Sequence, residues 1–338
     1  MSEQLSLHAA RSLARSVLIA AGASRQAADA TADALVAADA DGIASHGLSR
    51  LPAYADQIRS GKVKGQAVPA LEWTSVSTLR VDAREGLAFP AIAAGLDAAT
   101  ARTRESGRES GIVAVSVFAS HHAGVMGRHV ETLAERGLAA LAFSNSPQAI
   151  APWGGRAGVF GTNPIAFATP RRGAPPLVID ASLSKVARGK IMVAAQRGNP
   201  IPDDWALDAE GNPTTDPKAA LAGTMLPIGD AKGAALALMV EILAAALTGG
   251  QFGFEAASFF TADGPSPAIG HLFLVMDPVR LGGPDYLVRL ETLLGAILAQ
   301  EGVRLPGERR LKARAASAAE GISVPADLLE DLQRRSAA

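Results

Sequence analysis

The segment Asp41-Gly42-Ile43-Ala44-Ser45-His46-Gly47-Leu48-Ser49-Arg50 sets an imidazole and a guanidinium four positions apart. On a helix that spacing puts both on one face, a single turn from each other. An imidazole titrates near neutral pH and can give a proton to a developing alkoxide. A guanidinium presents parallel N–H donors that match a carboxylate. Together they suit a substrate with a carbonyl next to a carboxylate, with Ser45 placed to fix the tautomer of the imidazole. A solvated surface helix carries such pairs as well, so spacing alone leaves both readings open.

A second group, Ser120-His121-His122-Ala123-Gly124-Val125-Met126-Gly127-Arg128-His129, follows a strand-like run and opens a helix. Free N–H groups at such a start can receive a phosphate. His122 and His129, seven apart, also admit a metal on one helix face, which makes a metal-dependent hydrolase the alternative from another class. Against it, the cluster contains no carboxylate, and a hydrolytic zinc site wants a third ligand and a base. Plain packing is the third reading. The sequence has no G-x-G-x-x-G and no G-x-x-x-x-G-K-[ST]; the nearest approach is Gly155, Gly158 and Gly161 ahead of Thr162. Three more patches are rich in donors: 180–190, 229–233 and 304–310. Each also reads as a capped helix start or a solvated turn.

These groups need elements to position them. Apolar spacing predicts helices over 5–21, from a Ser24 cap to Gly42, and from a Ser45 cap with Leu48, Leu51 and Tyr54 on one face. An alanine-rich helix follows at 90–104. Short apolar runs with β-branched residues predict strands at 112–117, 138–143, 165–169 and 177–179, with a helix over 124–136. Gly and Pro concentrate over 152–176, as in loops that approach a ligand. A long Ala/Leu helix, a strand at 272–276, a helix over 285–300 and an ordered tail complete the order. The fold class is α+β (mixed α/β), a helical domain beside a sheet domain.

Composition narrows the partners. Of 338 residues 48% are hydrophobic, and the net charge of −1 gives no reason to expect nucleic acid or an anionic membrane. The absence of cysteine excludes disulfides, thiolate nucleophiles and Cys-ligated metals. Arg11 and Arg15 interrupt any signal-peptide core. Glu241 in the middle of the most hydrophobic stretch, 233–250, predicts a buried helix in a soluble, cytoplasmic protein rather than a membrane span.

Taken in order, D-G-I-A-S-H-G-L-S-R, S-H-H-A-G-V-M-G, A-P-W-G-G-R with F-G-T-N-P-I-A-F, D-A-S-L-S-K-V-A-R-G-K, G-D-A-K-G and R-L-P-G-E-R-R resemble the malate/L-lactate dehydrogenase family of the non-Rossmann type. Its relatives include sulfolactate dehydrogenase, diketogulonate reductase and the piperideine/pyrroline-2-carboxylate reductases. The resemblance spans nearly the whole chain. It implies a non-Rossmann NAD(P)-binding fold in a homodimer, with the active site near the subunit boundary. Residues 76–284 would form the NAD(P)-binding sheet domain, and 1–75 with 285–338 the helical dimerisation and substrate domain. The implied cofactor is NADP or NAD, and no metal is expected. His46 is the implied acid/base with Ser45 assisting, and Arg50, Thr162 and Arg188 face the substrate. Cofactor contacts fall at His121, His122, Ala123, Gly124, Val125, Asp180, Ala181, Ser182, Ala231, Lys232, Arg304, Leu305, Pro306, Gly307, Glu308, Arg309 and Arg310. In the cyclic-imine reductases one segment tends to read A-H-G-D, where this chain has Ala187-Arg188-Gly189-Lys190. Lys190 therefore stands with the catalytic residues, in place of the Asp expected to pair with the Ser–His unit. Two extra cations suit a second anionic group, so the expected reaction is hydride delivery to a small 2-oxo acid of malate or sulfolactate type. Reduction of a cyclic imino acid is the alternative.

Overall fold

The computed structural model describes residues 2–104 and 110–337. Helices α1 (Leu7–Ala20), α2 (Arg25–Ala40) and α3 (Leu51–Arg59) pack with α12 (Ala326–Ser336) around one core that holds Leu18, Leu35, Leu51, Tyr54 and Leu332. Strand β1 (Ser2–Leu5) pairs antiparallel with β11 (Ile322–Pro325) and closes this core at one end. Ser24 caps α2 as its position predicts, its Oγ accepting the Ala27 N–H at 3.2 Å.

The second core lies on a seven-stranded sheet in the order β2 (Ala70–Ser75), β3 (Thr78–Asp82), β4 (Ile112–Ser120), β10 (Ile269–Met276), β5 (Ala139–Ser144), β6 (Ile165–Thr169), β7 (Leu177–Ala181). Only β3 and β4 run parallel; every other neighbouring pair is antiparallel. Val113, Val115 and Val117 alternate inward on β4 and are fully buried. Each such side chain contributes roughly 1.5–3 kcal/mol. Helices α4 (Ala88–Arg104) and α5 (Met126–Glu135) cover this face through Ile92, Leu96, Val130 and Leu133. The sheet begins inside the stretch expected with the helices, because β2 is its edge strand.

On the other face, α8 (Asp230–Glu241) and the π-helical turn Ile242–Ala246 pack Ala237, Val240 and Ala244 against Phe143 and Leu272. The expected buried helix is only half buried: Leu236, Leu238, Met239 and Ile242 are exposed. Its Glu241 is buried and takes N–H groups from Asn145, Asn163 and Gly253. A smaller cluster joins α6 (Arg188–Arg197), β8 (Ala206–Leu207), α7 (Pro217–Ala222) and β9 (Thr224–Met225). The chain then passes through α9 (Pro278–Gly282), α10 (Tyr286–Leu298) and α11 (Glu308–Glu320). Helix α10 also packs beside the sheet, Glu291 receiving both Nε and Nη2 of Arg171 after β6.

Candidate active site

The predicted third helix starts later than its spacing indicates. Two 3-10 turns, Ala44–His46 and Leu48–Arg50, meet at Gly47 before α3 begins at Leu51. Ser45 lies inside the first turn and caps no helix. The cause is Asp39, whose Oδ2 accepts the Leu48 N–H at 2.7 Å. Its carboxylate fills the space beside Gly47, where a Cβ would lie 2.0 Å from Oδ1. Burial pushes the Asp39 carboxyl up to about 6, against the Leu48 N–H, which lowers it.

This reversal still puts the predicted pair together. Ser45 Oγ and His46 Nδ1 are 2.9 Å apart, which leaves Nε2 as the free ring nitrogen. Arg50 Nε donates to the Ser45 carbonyl at 2.7 Å, and the guanidinium lies 4.5 Å over the Phe260 ring. Arg50 Nη1 is buried and has no partner. Such a nitrogen is costly unless an anion completes it.

Four more imidazole and aromatic groups line the same place. His122 lies 5.3 Å from the His46 ring, and its Nδ1 is 2.5 Å from the Tyr54 hydroxyl. His121 Nε2 bonds Gln57 Oε1 at 2.7 Å, while its Nδ1 is buried without a partner. Phe259 sits 5.4 and 5.0 Å from the rings of His121 and His122. The loop 258–263 that carries Phe259 and Phe260 is tied down by Lys62, whose Nζ donates to the carbonyls of Ser258, Thr261 and Asp263. Gln57 Nε2 holds the Phe259 carbonyl at 2.7 Å. Burial, then the nearby Arg50, pushes His46 down to about 4. Burial, then Lys62 and Arg50, pushes His121 down to about 3. Burial first and Arg50 second hold His122 well below the usual range. At neutral pH the site is thus a guanidinium ringed by uncharged imidazoles, a cleft suited to an anion.

Sequence reasoning missed Gln57, Lys62, Phe259 and Phe260, and it placed Tyr54 only as a packing residue. The available signal was an adjacent Phe pair inside the turn-rich stretch 258–264.

Of the expected cofactor residues, Asp180, Ala181 and Ser182 lie at the end of β7. Asp180 Oδ2 accepts the Gly127 N–H at 2.6 Å, so a carboxylate already occupies the start of α5 that was offered to a phosphate. His122 precedes that helix, and His129 Nε2 bonds the Ala123 carbonyl at 2.8 Å. The shared helix face needed for the metal reading therefore does not form. The loop 121–125 joins β4 to α5, and Ala181 pairs with Ile165 across β6 and β7. Ser182 Oγ meets Ser184 Oγ at 2.7 Å and the Thr162 carbonyl at 3.4 Å. The Ile228 N–H donates to Leu183, which brings residues 229–232, including Ala231 and Lys232, to the same edge. Helices α8 and α11 start at Gly229 and Gly307, neither with a capping side chain.

In the turn before α11 and the first residues of that helix, Arg304, Pro306 and Arg309 are exposed, and Leu305 is buried with its N–H on Glu308 Oε1. Arg310 is not a free cation. It bonds Glu131 at 2.7 and 2.8 Å and Asp41 at 3.0 Å, and Arg314 binds the same two carboxylates. Arg188 Nη2 donates to the Leu221 carbonyl at 2.7 Å. Lys190 is exposed on the first turn of α6, and none of its described contacts reaches Ser45 or His46.

Residues 5–333 match the malate/L-lactate dehydrogenase family. The chain is 56% identical over 333 residues to the (2R)-3-sulfolactate dehydrogenase (NADP(+)) of Chromohalobacter salexigens, with 98% of each chain covered. It is 40% identical to the Delta(1)-pyrroline-2-carboxylate/Delta(1)-piperideine-2-carboxylate reductase of Pseudomonas syringae pv. tomato, covering 95% of this chain and 93% of that one. The crystal structure of delta1-piperideine-2-carboxylate reductase from the same organism superposes with a TM-score of 0.92 at 38% identity, covering 98% of this chain and 99% of that one. A chain matched over nearly its full length in both sequence and fold belongs to the malate/L-lactate dehydrogenase family, and it is a nicotinamide-dependent oxidoreductase.

Proposed function

We propose that the chain transfers hydride between NADP and a small 2-hydroxy acid that bears a second anionic group, of sulfolactate or malate type. The observation that carries this is the buried, unpartnered Nη1 of Arg50 beside the half-buried His46. Arg50 takes the carboxylate, which turns the 2-oxygen toward His46 Nε2. Ser45 fixes the tautomer, and His46 moves the proton at that oxygen. Phe259 and Phe260 keep water away.

The charge of the substrate matters to the proton. With its pKa pushed down to about 4, His46 is neutral in the empty site and ready to act as a base. In the reducing direction a bound anion beside Arg50 raises that pKa and loads the proton. A dianion does so more than a monoanion. The 56% identity to a sulfolactate dehydrogenase supports the same class. The 40% identity to a cyclic-imine reductase keeps imine reduction as the second reading.

The residues present fit a dinucleotide. Two uncapped helix starts, at Gly229 and Gly307, offer first-turn amides, with Lys232, Arg304 and Arg309 beside them. When bound, the nicotinamide supplies or accepts the hydride. The largely antiparallel sheet and the missing glycine fingerprint support a binding mode other than the Rossmann turn. Exposed apolar residues on α8, the π-helical turn after it and α10, among them Leu238, Ile242, Val288 and Leu293, support a homodimer. Among the described residues no helix is long and apolar enough to cross a membrane.

The test is a panel of sulfopyruvate, oxaloacetate, pyruvate, phenylpyruvate and piperideine-2-carboxylate, followed by NADPH absorbance with the wild type and His46→Ala. Sulfopyruvate or oxaloacetate should lead, and His46→Ala should abolish turnover. A lead by piperideine-2-carboxylate moves the assignment to the second reading, and turnover by His46→Ala removes it.

A further inference from the structure

Tyr54 is fully buried on α3, and its hydroxyl lies 2.5 Å from Nδ1 of His122. Burial raises the Tyr54 pKa and lowers that of His122, so the phenol keeps its proton and the imidazole is neutral. The buried hydroxyl has no other acceptor among the described hydrogen bonds, so it donates and Nδ1 accepts. A neutral imidazole has one N–H, and with Nδ1 accepting it must sit on Nε2. None of the described hydrogen bonds uses that Nε2–H. The ring packs edge-on to Tyr54 on one side and stands 5.3 Å from His46 and 5.0 Å from Phe259 on the others, and it is mostly buried.

We infer that His122 is a specificity-determining residue whose Nε2–H, aimed by Tyr54, holds an anionic oxygen of the substrate beside Arg50. This assigns His122 to the oxo acid rather than to the cofactor, and it rests on the reading of His46 and Arg50 as the hydride-transfer site. A neutral donor has one advantage over a second cation in this position. It adds a hydrogen bond to the anion without a further positive charge that would push the His46 pKa lower still. Tyr54 acts only through His122 and is a positioning residue.

Two measurements test this. Long-range 15N–1H correlation on the full protein with 15N-labelled histidine resolves each ring tautomer among the chain's 6 histidines. The His122 signals are identified by their loss in His122→Gln. The expected result is a protonated Nε2 and bare Nδ1 in the wild type between pH 6 and 8, and a tautomer mixture in Tyr54→Phe. In kinetics, Tyr54→Phe and His122→Phe should raise the KM for sulfopyruvate or oxaloacetate by about tenfold, more than they lower kcat. His122→Gln, which keeps an N–H donor, should recover part of that loss.

A protonated Nδ1 in the wild type overturns the inference, as does a rise confined to the KM for NADPH. Failure of the underlying reading looks different: His46→Ala would retain turnover, whatever tautomer His122 shows.

Discussion

Asp39 Oδ2 accepts the Leu48 N–H at 2.7 Å, so one carboxylate from the last turn of α2 decides how the chain leaves Gly47. His46 and Arg50 stand on either side of that turn, and their relation depends on it. The same carboxylate pays for its position with desolvation, since burial lifts its pKa to about 6. Asp39 is thus an example of stability given up where the site is built.

Asp39→Asn keeps an acceptor for Leu48 and removes the buried charge. A carboxyl raised from 3.8 to about 6 disfavours the folded state above pH 6, and the penalty vanishes as pH falls toward the unfolded value. The variant should be more stable than the wild type at pH 7.5, by on the order of 1–2 kcal/mol, and gain only about a third as much at pH 4.5. Urea unfolding at both pH values measures the difference.

Because His46 is held at about 4 in the free site, kcat/KM for reduction should fall close to tenfold per pH unit from pH 5 to 8. The corresponding value for oxidation should be flat over that range. The break in kcat for reduction should lie higher, since it reports the anion-bound site. Parallel pH profiles in both directions decide it.

Arg50→Lys should lower kcat/KM by roughly 10²–10³-fold. Lysine cannot bond the Ser45 carbonyl, lie over Phe260 and present a second nitrogen to a carboxylate at once. Steady-state kinetics with near-native circular dichroism would show that the loss belongs to the site.

The Asp41–Glu131–Arg310–Arg314 cluster should report on stability rather than cofactor affinity. Burial pushes Glu131 up, but the hydrogen bonds and charges of Arg310 and Arg314 outweigh it and hold the carboxyl at about 2. Its contribution is present above the ordinary value of 4.5 and is lost as pH falls toward 2. Arg310→Ala should cost about 1.5–3 kcal/mol in denaturant unfolding, the loss of charged hydrogen bonds while Arg314 still holds both carboxylates. If the residue instead held phosphate, the KM for NADPH would rise with unfolding unchanged.

The exposed Arg304 and Arg309 carry the opposite expectation. Alanine at both should leave the unfolding midpoint within about 0.5 kcal/mol and raise the KM for NADPH about tenfold or more. The KM for NADH should change less.

Local periodicity made much of this molecule readable. β6 falls at the predicted residues, and Ser24 caps α2, because both depend on neighbours within a few positions. Edge strand β2 was missed because its residues are mostly exposed and show no apolar alternation. The Ser45 cap was misplaced because the acceptor for Leu48 comes from nine residues upstream. At the site, His46 and Arg50 could be picked out by residue type and spacing. Phe259 over His122, and Lys62 under loop 258–263, are meetings across 137 and some 200 positions that spacing does not encode.

The paired arginines of α11 also set an order of events during synthesis. Asp41 and Glu131 are translated 269 and 179 positions ahead of Arg310, and both carboxylates are destined for burial. Until the later segment emerges, Asp41 lacks its countercharge and Glu131 has only the neighbouring Arg128, and closing the cluster costs loop entropy that only the completed docking returns. Asp41 begins the segment that holds His46 and Arg50. On a ribosome, therefore, the nascent enzyme should stay unable to grip its substrate through most of its translation, and gain that grip late, in a single docking step.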